Sequence, residues 1–399
     1  MFARRLKQLR LAKGYTLEEL ATKTGGFITK QALSKYENGK MQPSAVVLNK
    51  LAKALNTKSK HLFQESTYSV EIIAFRKSSQ IPKKELARIE SYVCTALEER
   101  IRLDEMTGLS VDEKSTLKSK TGSHLPIQSM PFGKLEDVEG IAETLRGKWN
   151  LGLDEISNMT EMLENHSVHV IDIQTSHMLD GVAAVAKTEK DRVRAVAIAN
   201  KSGVPGERQR LNLAHELGHL VLKIPREVDE EKAAFRFGAA FLAPADMLYG
   251  EIGRKRVFIQ PEELFMLKAK FGLSIAALLY RLRDLRIITE SYYRNWCIDI
   301  NRLGWRQREP NEIKPEHSNW IRKVILKNLS EGLLSKKEAS LFLAEIVEAT
   351  ESSSLIEKKA FQKLSLEERR RLLAEQAARL SSHYNANPEI KNMGGGDFE

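Results

Sequence analysis

The sequence predicts a multidomain chain: an all-α module of five short helices, an α+β domain with a small sheet, then a helical C-terminal region. Three observations carry this. Residues 1–65 alternate short apolar helical repeats with caps and turns, and hold 13 lysines and arginines against 4 acids. Residues 168–200 contain strand-like apolar runs that lead towards the helical stretch around His215-Glu216-Leu217-Gly218-His219. Beyond residue 320, apolar residues return at helical spacing. The expected boundaries are 1–66, a connector at 67–130, the α+β domain at 131–295 and the C-terminal region at 296–399.

In the first module, Leu6, Leu9, Leu11 and Ala12 give the opening helix its apolar face. Thr16 and Glu19 form a capping box for the second helix. Gly25-Gly26-Phe27-Ile28 makes a turn, Thr29 caps a third helix over residues 30–37, and Asn38-Gly39 closes it. Pro43-Ser44 opens a fourth helix with Val47, Leu48, Leu51 and Leu55 facing inward. The combination L-E-E-L-A, then A-L-S-K-Y-E-N-G-K, then P-S, resembles an XRE (phage-repressor-type) helix-turn-helix domain over about residues 2–65. Two extra residues between Gly25 and Ile28 lengthen the turn relative to that pattern.

The resemblance implies that the third helix enters the major groove of double-stranded DNA with Thr29, Lys30, Gln31, Ser34 and Lys35 against base edges. Glutamine pairs with adenine and lysine reaches guanine. Arg10, Asn38 and Lys40 are the candidate phosphate contacts, which position without specifying. The charge agrees, because the rest of the chain holds 50 basic against 49 acidic residues.

The connector begins with a strand-like run from Val70 to Phe75 and a polar break from Arg76 to Gln80. Pro82 opens a long amphipathic helix through Ile89, Val93, Leu97, Ile101 and Leu103. Residues 104–130, rich in Ser, Thr, Lys and Gly, read as a flexible connection. Val138, Ile141, Ala142, Leu145 and Trp149 mark the next helix. Strands follow at residues 168–173, 181–186 and 192–200, with Asp180-Gly181 as a turn. A strand set followed by two packed helices is an α+β plan, and an edge strand beside a cleft could hold an extended peptide. His166, His169 and His177 read as ordinary strand or loop residues.

In H-E-x-x-H on a helix, His215 and His219 share a face and offer two imidazoles to one metal ion. Glu216 lies one residue round, at the general-base position of a zinc peptidase. The third ligand would come from a second helix after Pro225, packed back against the first. Asp229, Glu230 and Glu231 are the candidates, and spacing does not choose among them. Cys94 and Cys297 stand far apart, which fits a reducing compartment and excludes a cysteine zinc site.

H-E-L-G-H, followed by E-x-x-A and by Phe237-Gly238-Ala239-Ala240-Phe241-Leu242-Ala243-Pro244, resembles the ImmA/IrrE group of metallo-endopeptidases. The likeness extends upstream to Arg208-Gln209-Arg210 and downstream through Phe271-Gly272-Leu273-Ser274 to Arg283. It implies a zincin-like α+β peptidase domain, a Zn2+ cofactor held by His215, His219 and Glu231, and catalysis by Glu216. Phe235 departs from the small or polar residue usual there, and Ala243 from the usual Met or Leu. Neither departure is expected to touch the metal set.

Residues 261–289 should be helical and cover the cleft, with Tyr280 and Arg281 either stabilising an oxyanion or packing. Residues 302–316 read as a linker, and residues 320–346 as two helices around Gly332-Leu333-Leu334-Ser335. The stretches G-W-x-x-x-E-P and E-G-L-L-S-K-K-E-A resemble the distal part of long regulator–peptidase fusions. A capped helix at residues 365–384 and a disordered end weakly resemble antitoxin tails. No apolar run of about 18 residues occurs, so a cytoplasmic protein is expected.

The expected function is a DNA-binding transcriptional regulator carrying a zinc endopeptidase that cleaves a partner protein, itself a regulator or antitoxin. The alternatives are a peptidase-like domain that only senses metal or ligand, and an antitoxin. A homodimer is allowed for.

Overall fold

Caps and leucines build the N-terminal bundle. In the computed structural model, which describes residues 2–63, 68–75, 81–106, 127–175, 179, 181–339 and 368, four helices appear first. They are α1 (Phe2–Ala12), α2 (Leu17–Lys23), α3 (Lys30–Glu37) and α4 (Ala45–Ala54). The expected fifth is a 3-10 turn at Ser59–Leu62. Thr16 and Glu19 cap α2 reciprocally, while Thr29 and Ser44 cap α3 and α4. Leu6, Leu20, Leu33, Leu51 and Leu62 meet in a single core.

Arg10 corrects an expectation. It is only 8% exposed, donating to both carboxylate oxygens of Glu37 at 2.6 and 2.7 Å and to the Tyr15 carbonyl at 2.7 Å. An arginine so placed ties α1 to α3, with its guanidinium already engaged by Glu37 and Tyr15.

The connector is also reassigned in part. β1 (Tyr68–Phe75) and α5 (Lys83–Met106) belong to the α+β fold. The main sheet runs β1-β4-β5-β3, with β3 at Val168–Ile173, β4 at Gly181–Thr188 and β5 at Val193–Lys201. β1/β4 and β4/β5 pair antiparallel, whereas β3/β5 pair parallel. A second, two-stranded sheet pairs β2 (Met130–Pro131) with β6 (Leu222–Lys223). Six consecutive residues of β4 are buried, as happens when both sheet faces are covered. Ile89, Val93, Leu97 and Ile101 of α5 cover one face. The other packs on the helices that carry the candidate metal ligands.

The remaining helices are α6 (Val138–Lys148), α7 (Met159–Asn165), α8 (Gly206–Val221), α9 (Glu230–Leu242), α10 (Ala245–Ile252), α11 (Pro261–Phe271), α12 (Ile275–Asp284), α13 (Glu290–Arg302) and α14 (Trp320–Ser330). The expected single helical stretch at 261–289 is two helices, broken at Gly272 with φ +66°.

The segment at 302–316 is no linker either. Its residues strap the start of α8: the Ile313 carbonyl accepts from Gly206 N at 2.8 Å, and Ile313 N donates to Glu207 at 3.0 Å. Glu316 receives Arg210 at 2.7 Å and caps α7 through Met159 N and Thr160 N. The described residues up to Asn328 form one compact unit, and Leu329–Ala339, with the short helix α15 (Lys336–Ala339), fall in a second. His177, the core of the expected flexible connection at 107–126, the helix towards Ile346 and nearly all of the C-terminal tail lie outside the described residues.

Candidate metal centre

Helix α8 is buried along almost its whole length, with Leu213, Ala214, Leu217 and Val221 in the core beside the sheet. Helix α9 returns antiparallel to it, and two glycines let the backbones meet. A Cβ on Gly218 would lie 3.2 Å from the Ala234 Cα, and one on Gly238 would lie 3.0 Å from the His215 backbone nitrogen. The Asp229 carboxylate accepts from Lys232 N at 3.0 Å and starts α9. That spends Asp229 as a cap and brings Glu230 and Glu231 beside the histidines.

His215 Nε2 and His219 Nε2 stand 3.1 Å apart. Glu231 Oε2 lies 3.4 Å from the first and Oε1 lies 3.6 Å from the second. Two ligands about 2.05 Å from a tetrahedral ion are roughly 3.3 Å apart, and one ligand atom from each of the three side chains lies within 4.8 Å of the others, close to the spacing a zinc-sized ion needs. The histidine side chains are 1% and 2% exposed, while that of Glu231 is 46% exposed. The group is thus reached from the Glu231 side. Among the three acids left open by spacing, this geometry favours Glu231.

Glu230 takes a different part. Its Oε1 lies 3.1 Å from His219 Nδ1, holding the ring so that Nε2 faces Glu231. A carboxylate on the far nitrogen fixes the tautomer of a ligating imidazole. Glu216 is 1% exposed and lies against the first residue of β4, where a Cβ on Gly181 would come within 2.5 Å of its Cγ. Phe235 corrects an expectation: its ring centroid is 4.1 Å from that of His215, so this departure does touch the metal set. The sequence offers Glu230 only as a candidate ligand and marks Phe235 only as a departure from the family pattern, while Gly181 carries no local signal.

Arg281 is 1% exposed and bonded to Glu139 and the Ala243 carbonyl, so it packs. Tyr280 is 48% exposed, with its ring 4.1 Å under the Arg283 guanidinium. On α3, Thr29, Lys30, Gln31 and Lys35 are exposed and Ser34 half-buried. Lys30 makes an exposed ion pair with Glu18 at 2.9 Å, a contact worth about 0–1 kcal/mol and readily exchanged. Asn38 closes α3 on the Ser34 carbonyl at 2.8 Å, and Lys40 is exposed.

Comparison with known proteins agrees with this layout. A helix-turn-helix family matches residues 6–62, and the family described as IrrE N-terminal-like domain matches residues 171–283. An SPbeta prophage-derived uncharacterized HTH-type transcriptional regulator of Bacillus subtilis (strain 168) is 39% identical over 64 residues. That match covers 16% of this chain and 57% of the relative. No solved structure matches. Among the described residues, no helix is long and apolar enough to cross a membrane. The chain therefore joins, in one polypeptide, an XRE-type helix-turn-helix domain to an IrrE N-terminal-like domain.

Proposed function

We propose that the chain is a DNA-binding transcriptional regulator whose second domain is a zinc-dependent endopeptidase acting on a partner regulatory protein. The observation that carries the enzymatic half is the convergence of His215, His219 and Glu231 ligand atoms within 4.8 Å of one another. His215, His219 and Glu231 would hold the metal. A zinc ion, when bound, acidifies a coordinated water and polarises a carbonyl oxygen.

The chain's own residues supply the rest. Glu216 takes the proton of the attacking water and hands it to the leaving amine nitrogen. Its burial against Gly181 fixes the carboxylate, and Glu230 keeps the His219 ring in register. DNA binding is supported by the exposed cap and first turn of α3, by the local basic charge and by the HTH-type relative. The proposed protein substrate is a repressor or antitoxin, as the resemblance to the ImmA/IrrE group implies.

A reporter comparison of wild type, Glu216→Gln and Glu231→Gln, with an immunoblot of the partner, tests the reading. The general base contributes typically about 10²–10⁴ in rate. Glu216→Gln should therefore bind the partner, leave it intact and keep target genes repressed. Normal derepression by Glu216→Gln, with failure only of Glu231→Gln, would show that the domain senses metal and cleaves nothing.

A further inference from the structure

We propose that Phe27 is a base-reading residue, packing its ring on the 5-methyl group of a thymine in the major groove. The inference rests on the DNA-binding reading above and names a contact outside the α3 residues themselves.

The loop between α2 and α3 is built to present this side chain. Six residues, Thr24 to Thr29, separate the two helices, where a helix-turn-helix ordinarily uses three or four. Thr24 is 6% exposed; its hydroxyl donates to the Ala21 carbonyl at 2.7 Å and accepts from Ile28 N at 3.3 Å. Gly26 N donates to the same carbonyl at 3.2 Å. Gly25 and Gly26 both have φ +73°, a conformation that residues with a Cβ adopt only with strain. The loop is thus pinned at both ends of its turn. Ile28 plugs the bundle core at 3% exposure, while the preceding Phe27 is sent outward, 55% exposed.

Single exposed apolar side chains are ordinary on protein surfaces. This one differs in where it is held. It lies two residues before the cap of α3, the end of a recognition helix that approaches base edges. A cation stands beside it: Lys50 Nζ is 5.6 Å from the ring centroid, and the first 65 residues hold 13 lysines and arginines against 4 acids. A ring in a positive setting matches a polyanion that also offers an apolar group. In the major groove that group is the thymine methyl, which phenylalanine can contact.

The test uses the full-length chain and duplexes enriched by it from a random-sequence library. Each thymine of the enriched site is replaced singly by deoxyuridine, which removes only the methyl group. At least one thymine position should then weaken wild-type binding about three- to tenfold, the effect of one buried methyl. Phe27→Ala should lose a similar factor on the thymine duplex and bind thymine and uracil duplexes alike at that position. Phe27→Leu should restore part of the difference. Because the side chain is exposed, the thermal unfolding midpoint should stay unchanged, which separates contact from folding.

Uracil indifference of the wild type at every position would overturn the proposal. So would an undiminished uracil penalty in Phe27→Ala. A Phe27→Ala chain that changes oligomeric state while keeping wild-type affinity would place the ring at a protein interface, and would also overturn it. If the library yields no enriched duplex, the DNA-binding reading itself falls, a result distinct from enrichment without methyl dependence.

Discussion

Gly181 opens β4 directly against Glu216, and a methyl group there would stand 2.5 Å from the Glu216 Cγ and 2.7 Å from its Oε1. The metal group involves other atoms, so Gly181→Ala should keep zinc while displacing the carboxylate. A displacement of about 1 Å near the chemistry costs on the order of 10² in rate. Partner cleavage by Gly181→Ala should fall by about that factor at unchanged zinc content, and unaltered cleavage would remove Glu216 from the mechanism. The residues of H-E-x-x-H were legible because helix periodicity alone puts His215 and His219 on one face. Glu231 needed either the family resemblance or the return of α9. Gly181, Glu230 and Phe235 act through tertiary contacts: a strand end, a neighbouring first turn and a ring against His215. Arg10 misled because a basic residue in a basic module looks solvent-facing until its partner, Glu37, is known.

The strap across α8 shows the same limit for an element. Arg, Pro and Glu in 302–316 have the composition of a linker, yet Glu309 and Glu207 both bond Lys268, at 2.9 and 2.7 Å. The side chains of Lys268, Glu207 and Glu309 are 1%, 5% and 8% exposed. Glu309 also accepts from Ile275 N at the start of α12. Removing one member of a buried charge cluster leaves the others unpaired and costs about 3–5 kcal/mol. Lys268→Ala should therefore lower unfolding free energy by roughly that amount in a denaturant titration. A loss below about 1 kcal/mol would mean that the strap is loosely held in solution. The long helix α5 was readable from its spacing, but its place was not. The continuous apolar run in β4 was the available sign that a second layer must cover the sheet.

Across the whole molecule, the order of domains was legible from charge, caps and one motif, whereas their mutual contact was not. α1 meets α5 through Arg5 with Glu98 and through Gln8 with Thr95. His61, at the end of the bundle, lies 3.0 Å from Arg102 of α5. Burial, with Arg102 adding to it, pushes His61 down from 6.5 to about 4. Burial pushes Glu164 up from 4.5 to about 7, against the opposing hydrogen bond from Ser318.

These shifts give opposite slopes. Between pH 4.5 and about 7 the folded chain keeps the Glu164 proton that the unfolded chain releases, so stability falls as pH rises. Between pH 6.5 and about 4 the unfolded chain takes a His61 proton that the fold refuses, so stability falls as pH drops. Over the shared range they offset each other. Glu164→Gln should leave the His61 slope exposed, its unfolding midpoint rising with pH more steeply than that of wild type. Parallel curves for the two proteins would contradict the raised Glu164 pKa.

The central claim is that His215, His219 and Glu231 form one zinc centre beside a base that is not itself a ligand. Zinc content of the purified full-length chain tests it most directly, by elemental analysis after loading and exhaustive dialysis. Wild type and Glu216→Gln should each retain about one zinc per chain; His215→Ala and His219→Ala should retain none, and Glu231→Gln should release it at lower chelator concentration. Full zinc content in both histidine variants, or none in the wild type after loading, would contradict the account.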